Sequence, residues 1–470
     1  MKRREIAIGR EFRQAPTVVK CQVEIGAPSS KIQAPIPKSS HAPHNAQTPF
    51  CKVGTRCRAS GRRTIPNGRL EFDRQAACHG PAAAVPYRSF LALLCALSCL
   101  PPLAAHTAPS SRPNIVLIMT DDMGWSDIGC YGGEIPTPHI DSLARDGLRF
   151  TQFYNNAVCG PTRVSLLTGL YPQQVGHSGR AWNQPKDFSK CVLIPEVLQA
   201  NGYHSMMVGK WQGRDLAVQR GFDRFFGPNC QLKISYYHEV KDNQFYLNDQ
   251  RWRFPKKGFY MTDAFNDHAD EFLSEAVGKD DPFFLYVAHI APHWPLHAPE
   301  KYVAGHRQRY LEKGWDEWRD FRARRQKEMG LVAKSAPLAA RNRSIKKWKD
   351  DPNKEWQAER MAVYAAQIAS IDRGVGQLLK TLEASGKADN TLVIFLSDNG
   401  GAMDGGVNPS DRGFGFGPGA KGPKFRLDGV HPLGGSGPDN MPGGPGTFAG
   451  YGVAWSTVSN TPWRSHKSHA

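Results

Sequence analysis

Two groups of residues in this chain have types and spacings that can do chemistry together. The first lies in the stretch Asn156–Gly169, NAVCGPTRVSLLTG, where a cysteine stands directly before Gly-Pro-Thr-Arg. Pro161 suits the first turn of a helix and Gly169 suits its stop. Cys159 then falls at a helix N-terminus, where free N–H groups and the helix dipole favour anions. Arg163, four residues on, projects from the same face. A nucleophile beside a guanidinium points to attack on an oxyanion ester, a sulfate or a phosphate. Cysteine-phosphatase loops need a longer spacing than the three residues that separate this Cys and Arg, one of them proline. An inert buried cysteine is the competing reading of the thiol alone.

The second group is a set of hard oxygen donors. Asp121-Asp122 closes the apolar run beginning NIVLIM, and Asp398-Asn399 closes LVIFLS. Carboxylates and an amide oxygen suit Ca²⁺ or Mg²⁺ and not zinc. Asp and Asn also favour ordinary turns and caps. Two such pairs, each ending a core strand of one domain, favour a metal over that plainer reading.

The elements that must position these residues follow from the hydrophobic pattern. NIVLIMTDD, HSMMVGKW, PFFLYVAHIAP and NTLVIFLSDNG read as buried parallel strands with polar residues at their carboxyl ends. TPHIDSLARDGLRF reads as a helix through Ile140, Leu143, Ala144 and Leu148, with Gly147 near its end. IPEVLQANGY reads as a short helix, and AVYAAQIASIDRGVGQLLKTLEASG as a long amphipathic one closed by Gly386. Strands alternating with helices predict an α/β domain with a mostly parallel central sheet flanked by helices. Ligands in such sheets sit beyond the carboxyl ends of the strands, where both groups fall. Residues 300–358 are highly charged with interleaved acids and read as a solvated helical excursion. The Gly/Pro-rich residues 400–450 read as a long loop, a rim around a site.

Charge and cysteines are lopsided. The formal charge of +17 over 470 residues resembles a nucleic-acid signal, but residues 1–105 hold 16 basic and 5 acidic side chains, leaving 44 and 38 in the remainder. The globular part is therefore only mildly basic, and no nucleic-acid partner is expected. Six of the ten cysteines precede residue 105, and Cys130, Cys159, Cys191 and Cys230 follow it. Residues 88–105, RSFLALLCALSCLPPLAA, have the charged start, apolar stretch and small residues of a signal peptide, too short for a stable membrane span. They predict export to a periplasmic or extracellular space. Residues 1–87 form a low-order basic extension, read as an upstream mis-called start, with a disordered or organelle-targeting arm as the rival.

Several segments together resemble the type I sulfatases (arylsulfatases) of the alkaline-phosphatase-like superfamily. CGPTR…TG is similar to the family's Cys-x-Pro-Ser/Thr-Arg signature. PNIVLIMTDDMGWSDIGCYGG, TPHIDSLARDGLRFTQFY, LLTGLYPQQVGH, GYHSMMVGKW, RGFDRFFG, APHWPLHAP and LVIFLSDNGG occur in family order, and the resemblance covers residues 112–470. Several independent motifs in order are far more specific than any one. The resemblance implies a sulfuric ester hydrolase acting on aryl or carbohydrate sulfates. It implies that a formylglycine-forming maturation enzyme converts Cys159, and that the aldehyde hydrate is the nucleophile. Asp121, Asp122, Asp398, Asn399 and the modified Cys159 would bind Ca²⁺, with Mg²⁺ as the substitute. Arg163 would steady the formylglycine and the metal shell. Lys210 would bond the sulfate, and His293 would act near the leaving oxygen as acid or sulfate ligand. YGVAWSTVSNTPWRSHKSHA is similar to the family segment that carries a second sulfate-binding lysine, which makes Lys467 that candidate. His297 is given substrate contact at most, without a catalytic role.

Two departures bear on activity. The family's Gly-Lys-Trp is usually followed by histidine, whereas here Gln212 follows, which would contact substrate but cannot serve as a base near neutral pH. The chain also stops at Ala470, where the family continues with Glu-Gly-Gly, further core strands and a small C-terminal domain. A truncated catalytic domain is expected to expose a sheet edge and apolar surface. The alternatives are a phosphonate or phosphate ester hydrolase of the same superfamily and a truncated, inactive sulfatase homologue.

Overall fold

The computed structural model describes residues 112–176, 187–229, 235–240, 244–403, 426–434 and 437–468. The extension 1–87, the signal-like segment 88–105, Cys230 and part of the Gly/Pro-rich loop lie outside the described residues. The order of elements is β1 (Asn114–Asp121), α1 (Pro138–Asp146), α2 (Cys159–Thr168), α3 (Ile194–Ala200), β2 (His204–Gly209), β3 (Arg224–Pro228), β4 (Phe245–Leu247), β5 (Gln250–Arg251), α4 (Met261–Val277), β6 (Phe283–Pro292), α5 (Glu300–Val303), α6 (Arg307–Glu328), α7 (Lys354–Ala384), β7 (Thr391–Ser397), β8 (Leu433–Gly434), β9 (Thr447–Phe448) and α8 (Gly452–Ser459).

The main sheet runs β5-β4-β3-β2-β6-β1-β7. Strands β3, β2, β6, β1 and β7 are parallel, and β4 and β5 are antiparallel to their neighbours. This is the α/β class expected from the sequence. Alternate residues of β1 and β6 face two cores. Val116, Ile118, Leu285 and Val287 meet α4, α7 and α8, while Leu117, Met119, Phe284 and Tyr286 meet α2 and the loop before α3. Such two-sided burial explains why these strands are nearly continuous apolar runs.

Four expectations change on the structure. Leu148 lies beyond the end of α1 and is 66% exposed, so the apolar face of that helix rests on Ile140. Strand β7 is not fully buried; among the described residues it has a neighbour on one side only, and Leu392 and Ile394 are 52% and 37% exposed. Helix α7 begins at Lys354, inside the charged stretch, and its first half is buried on every side rather than amphipathic. A helix covered all round sits at the centre of a domain, and here α4, α5, α6 and α8 surround it. The fourth change is the charged excursion itself. Helix α6 packs on α7 and α8 through Tyr310, Trp315 and Trp318, and Arg322 and Gln326 are fully buried. Its interleaved charges face solvent on one side and inward partners on the other.

Candidate active site

The carboxyl ends of four neighbouring strands, β2, β6, β1 and β7, converge. Asp121 ends β1, Lys210 follows β2, His293 follows β6 and Asp398 follows β7. A register shift between Met119 and Asp121 places two extra residues on β6 before Asp121 pairs with Pro292, and such bulges are common beside sites. Gly209, at φ 107°, lets the backbone before Lys210 pass the Ala288 carbonyl, which a Cβ would meet at 2.1 Å. The Lys210 N–H then donates to that carbonyl at 2.7 Å.

Helix α2 begins at Cys159 after an extended Val158 and ends at Gly169 in the left-handed conformation. The thiol is buried at the helix N-terminus, and its sulfur lies within 4.8 Å of carboxylate oxygens of Asp121 and Asp398. One turn on, Arg163 donates from Nε to Asp398 Oδ2 at 2.9 Å, and its Nη2 lies 2.8 Å from the same oxygen and 3.5 Å from Asp121 Oδ2. Its other contacts are the Tyr286 hydroxyl and the His289 carbonyl, each at 3.4 Å. Lys210 donates to Asp121 Oδ2.

Asp122 collects a separate set of partners. Lys467 Nζ reaches both its oxygens at 2.8 Å, Asn399 Nδ2 donates to Oδ1 at 2.7 Å, and His293 Nε2 lies 3.5 Å from Oδ2. His293 Nδ1 is 2.6 Å from the Trp294 carbonyl and so carries a proton towards it. Lys467 comes from the far end of the chain. Its own N–H donates to Gly401 O at 2.9 Å, the next N–H donates to Ala157 O at 3.0 Å, and Asn460 ties Gly401 to the end of α8. Gln212 lines a small cavity with Arg163, Lys210 and Tyr286, and its Oε1 is buried without a hydrogen-bond partner among the described residues. All nine proposed catalytic and metal residues thus lie in one cluster, with Gln212 beside it. His297 stands apart: buried, bonded to Thr447 O at 2.8 Å, and depressed by burial to about 3.

The electrostatics follow from burying three carboxylates together. Burial and the neighbouring Asp121 push the Asp398 carboxyl up to about 7. Burial acts on Asp121 in the same direction but is outweighed by Lys210, His293 and Arg163, which hold it below the usual range. Burial would depress the Lys210 ammonium, and Asp121 beside it reverses the direction. Burial pushes the Cys159 thiol up, against the pull of Lys210.

Asp121 Oδ1 and Asn399 Oδ1 are buried and unpartnered among the described residues. Crowded carboxylates and orphaned hard oxygens fit a divalent cation that accepts oxygen donors. A wider groove of about 550 Å³ between α1, α4 and α7 is a different matter: its Arg373 is already paired with Asp263 at 2.7 Å. Sequence reasoning passed over Tyr286 and Asn460, which touch the site from a strand interior and a helix end. Neither carries a local signal beyond the run it sits in.

The Sulfatase family model matches residues 113–444. An arylsulfatase of Klebsiella aerogenes is 31% identical over 80% of this chain and 81% of the relative. An N-acetylgalactosamine-6-sulfatase of Rattus norvegicus is 30% identical over 68% of this chain, which spans 56% of that relative's length. An uncharacterized sulfatase of Schizosaccharomyces pombe is matched over 58% of its length at 32% identity. Among solved structures, Ps i-CgsB in complex with k-i-k-neocarrahexaose is 28% identical over 62% of this chain and 59% of that one, with a TM-score of 0.45. The family match and the Klebsiella aerogenes relative define the class. The chain belongs to the sulfatase family, the type I sulfatases of the alkaline-phosphatase-like superfamily.

Proposed function

We propose that this protein hydrolyses sulfate esters of an aryl or carbohydrate alcohol, with a formylglycine at position 159 as nucleophile and a divalent cation held by Asp121, Asp122, Asp398 and Asn399. The observation that carries the reading is the buried strand-end cluster, in which a helix-N-terminal cysteine, three carboxylates and three cationic side chains converge. The thiol itself is a poor nucleophile there, because burial holds it protonated. Conversion by a formylglycine-forming enzyme would supply an aldehyde hydrate in its place, a better partner for covalent catalysis. The cation, Ca²⁺ or Mg²⁺, would supply Lewis acidity and charge for an anionic substrate.

The chain's own residues then divide the work. Arg163 spans Asp121 and Asp398 and fixes the spacing of these two carboxylates. Lys210 and Lys467 rest on carboxylates that the cation also needs. A bound cation would share those oxygens with the two ammonium groups, which would then be available to hold the sulfate. His293, held by the Trp294 carbonyl, presents Nε2 towards the same space as an acid for the leaving oxygen. Gln212 stands where a base would be useful and supplies only hydrogen bonds. Export through the signal-like segment 88–105 fits this reading, and none of the helices among the described residues is long and apolar enough to cross a membrane.

The test compares turnover of para-nitrophenyl sulfate and para-nitrophenyl phosphate by protein co-expressed with a formylglycine-forming enzyme. Sulfate hydrolysis that exceeds phosphate hydrolysis is expected. Phosphoryl preference would move the assignment to the phosphate or phosphonate branch, and a folded protein without turnover of either ester to the inactive one.

A further inference from the structure

Asp122 has a backbone problem that its neighbours in the cluster do not share. Its φ is 65°, in the left-handed region, which costs a non-glycine residue about 1 kcal/mol or more. Something must hold this residue in a conformation it does not favour. The contacts on its carboxylate come from groups that would bind cation or sulfate, so they change with occupancy. Its backbone N–H belongs with them, since it donates to Asp398 Oδ1 at 3.3 Å, but the contact on its carbonyl does not.

That carbonyl contact leads away from the site. The Tyr364 hydroxyl, buried on α7, lies 3.1 Å from the Asp122 carbonyl and 2.7 Å from Asp127 Oδ2, and shares its proton between them. The Gly124 N–H points into the same pair, 2.8 Å from Asp127 Oδ2 and 3.3 Å from the Tyr364 oxygen. Gly124 is required there, since a Cβ would meet the Ser459 carbonyl at 2.4 Å. Asp127 Oδ1 is held in turn by Arg322 Nη1 at 2.6 Å. Arg322 is wholly buried on α6, and its remaining nitrogens grip Glu134 at 2.7 and 2.8 Å. Tyr451 stacks on Tyr364 at 4.2 Å and 9°, which fixes the ring. The result is a continuous buried relay, Arg322 to Asp127 to Tyr364, that ends on the backbone of Asp122 and Gly124.

We infer that this relay is a positioning device for the cation site: it holds Asp122 in its strained turn so that the carboxylate faces Asn399, and α6 supplies its anchor. The inference rests on the proposed cation reading of the cluster. Tyr364, Asp127 and Arg322 touch neither substrate nor cation and act through Asp122. Partners of this kind commonly alter metal affinity by about 10- to 100-fold when removed. A purely structural role for the same residues would lower stability and leave cation affinity alone.

The test is Ca²⁺ binding to the full chain by calorimetry, read beside thermal unfolding. Tyr364→Phe keeps the ring and removes the hydroxyl, and the expected result is a Kd raised about tenfold. Tyr203→Phe removes a comparable hydroxyl from the Pro113 carbonyl at the other end of β1, and should leave Kd at the wild-type value. Arg322→Lys keeps a cation on Asp127 and should raise Kd less than Arg322→Met does; this pair carries the test if Tyr364→Phe does not fold. A lower Tm with unchanged Kd in Tyr364→Phe overturns the relay while leaving the cation reading intact. A folded wild-type chain that binds neither Ca²⁺ nor Mg²⁺ overturns both.

Discussion

Two regions of this molecule bury charge, and they do it differently. In the excursion helix α6, Arg322 is surrounded by Ser126, Asp127 and Glu134, and Tyr310 completes Glu134 at 2.9 Å. Both carboxylates there are fully bonded. At the strand ends, three carboxylates and an amide crowd together, two oxygens lack partners among the described residues, and the Asp398 carboxyl is pushed up to about 7 by burial and by Asp121. Both regions pay desolvation, but only the first recovers it within the protein. Buried charge that is complete in itself marks a folding element. Buried charge with oxygens left over marks a place prepared for something else.

The sharpest way to break this comparison is to remove one key group from each region. Cys159→Ala should lower sulfate-ester turnover by at least about 10⁴-fold while leaving Tm nearly unchanged, because the residue it removes is reactive rather than supporting. Turnover that survives would sink the nucleophile assignment. Arg322→Met should act first on stability, costing about 3–5 kcal/mol in urea unfolding by stranding Asp127 and Glu134, with its loss of Ca²⁺ affinity a secondary effect. A neutral result would mean that the excursion's charges are not the completed set they look like.

Smaller effects sharpen the same contrast. Chelation should lower both turnover and Tm, since Ca²⁺ at about 100 times its Kd stabilises the folded state by about 2.7 kcal/mol; an identical Tm before and after thorough chelation counts against the strand-end cation. Gln212→His should raise turnover, by up to about 10²-fold where proton removal limits the rate, and a rate unchanged across the pH profile would show that no base is missing. The effect that is weakest at neutral pH belongs to His297, whose pKa falls to about 3 on burial. Below its ordinary value near 6.5 the unfolded chain takes up a proton that the folded chain refuses until about pH 3, so stability declines as pH falls through that window, by about 1.4 kcal/mol per unit. His297→Gln should flatten that part of the urea-unfolding profile.

The strand-end acids were legible because each closes an apolar run, and the helix at Cys159 because proline and glycine bracket it. Lys210, His293 and Lys467 carried no such local signal; only their resemblance to family segments singled them out. The relay from Arg322 was illegible, since its members lie some 195 and 237 residues apart in sequence. The burial of α6 had a readable trace that charge concealed. Past Gly314, whose backbone is not helical, the residues Trp315, Trp318, Arg322 and Gln326 fall three or four residues apart, one stripe along a helix, but its last two members are polar and broke the apolar pattern. Likewise β7 reads as fully buried because a strand's composition does not say whether it lies at a sheet's edge.

The central claim is that position 159 carries a formylglycine in the active protein. Its most direct test is the mass of the tryptic peptide Phe150–Arg163 from protein made with a formylglycine-forming enzyme. The account predicts the mass of an aldehyde in place of the thiol, and its appearance together with sulfate-ester turnover. A peptide that keeps an unmodified cysteine under those conditions would contradict it and assign the cluster to an inactive member of the family.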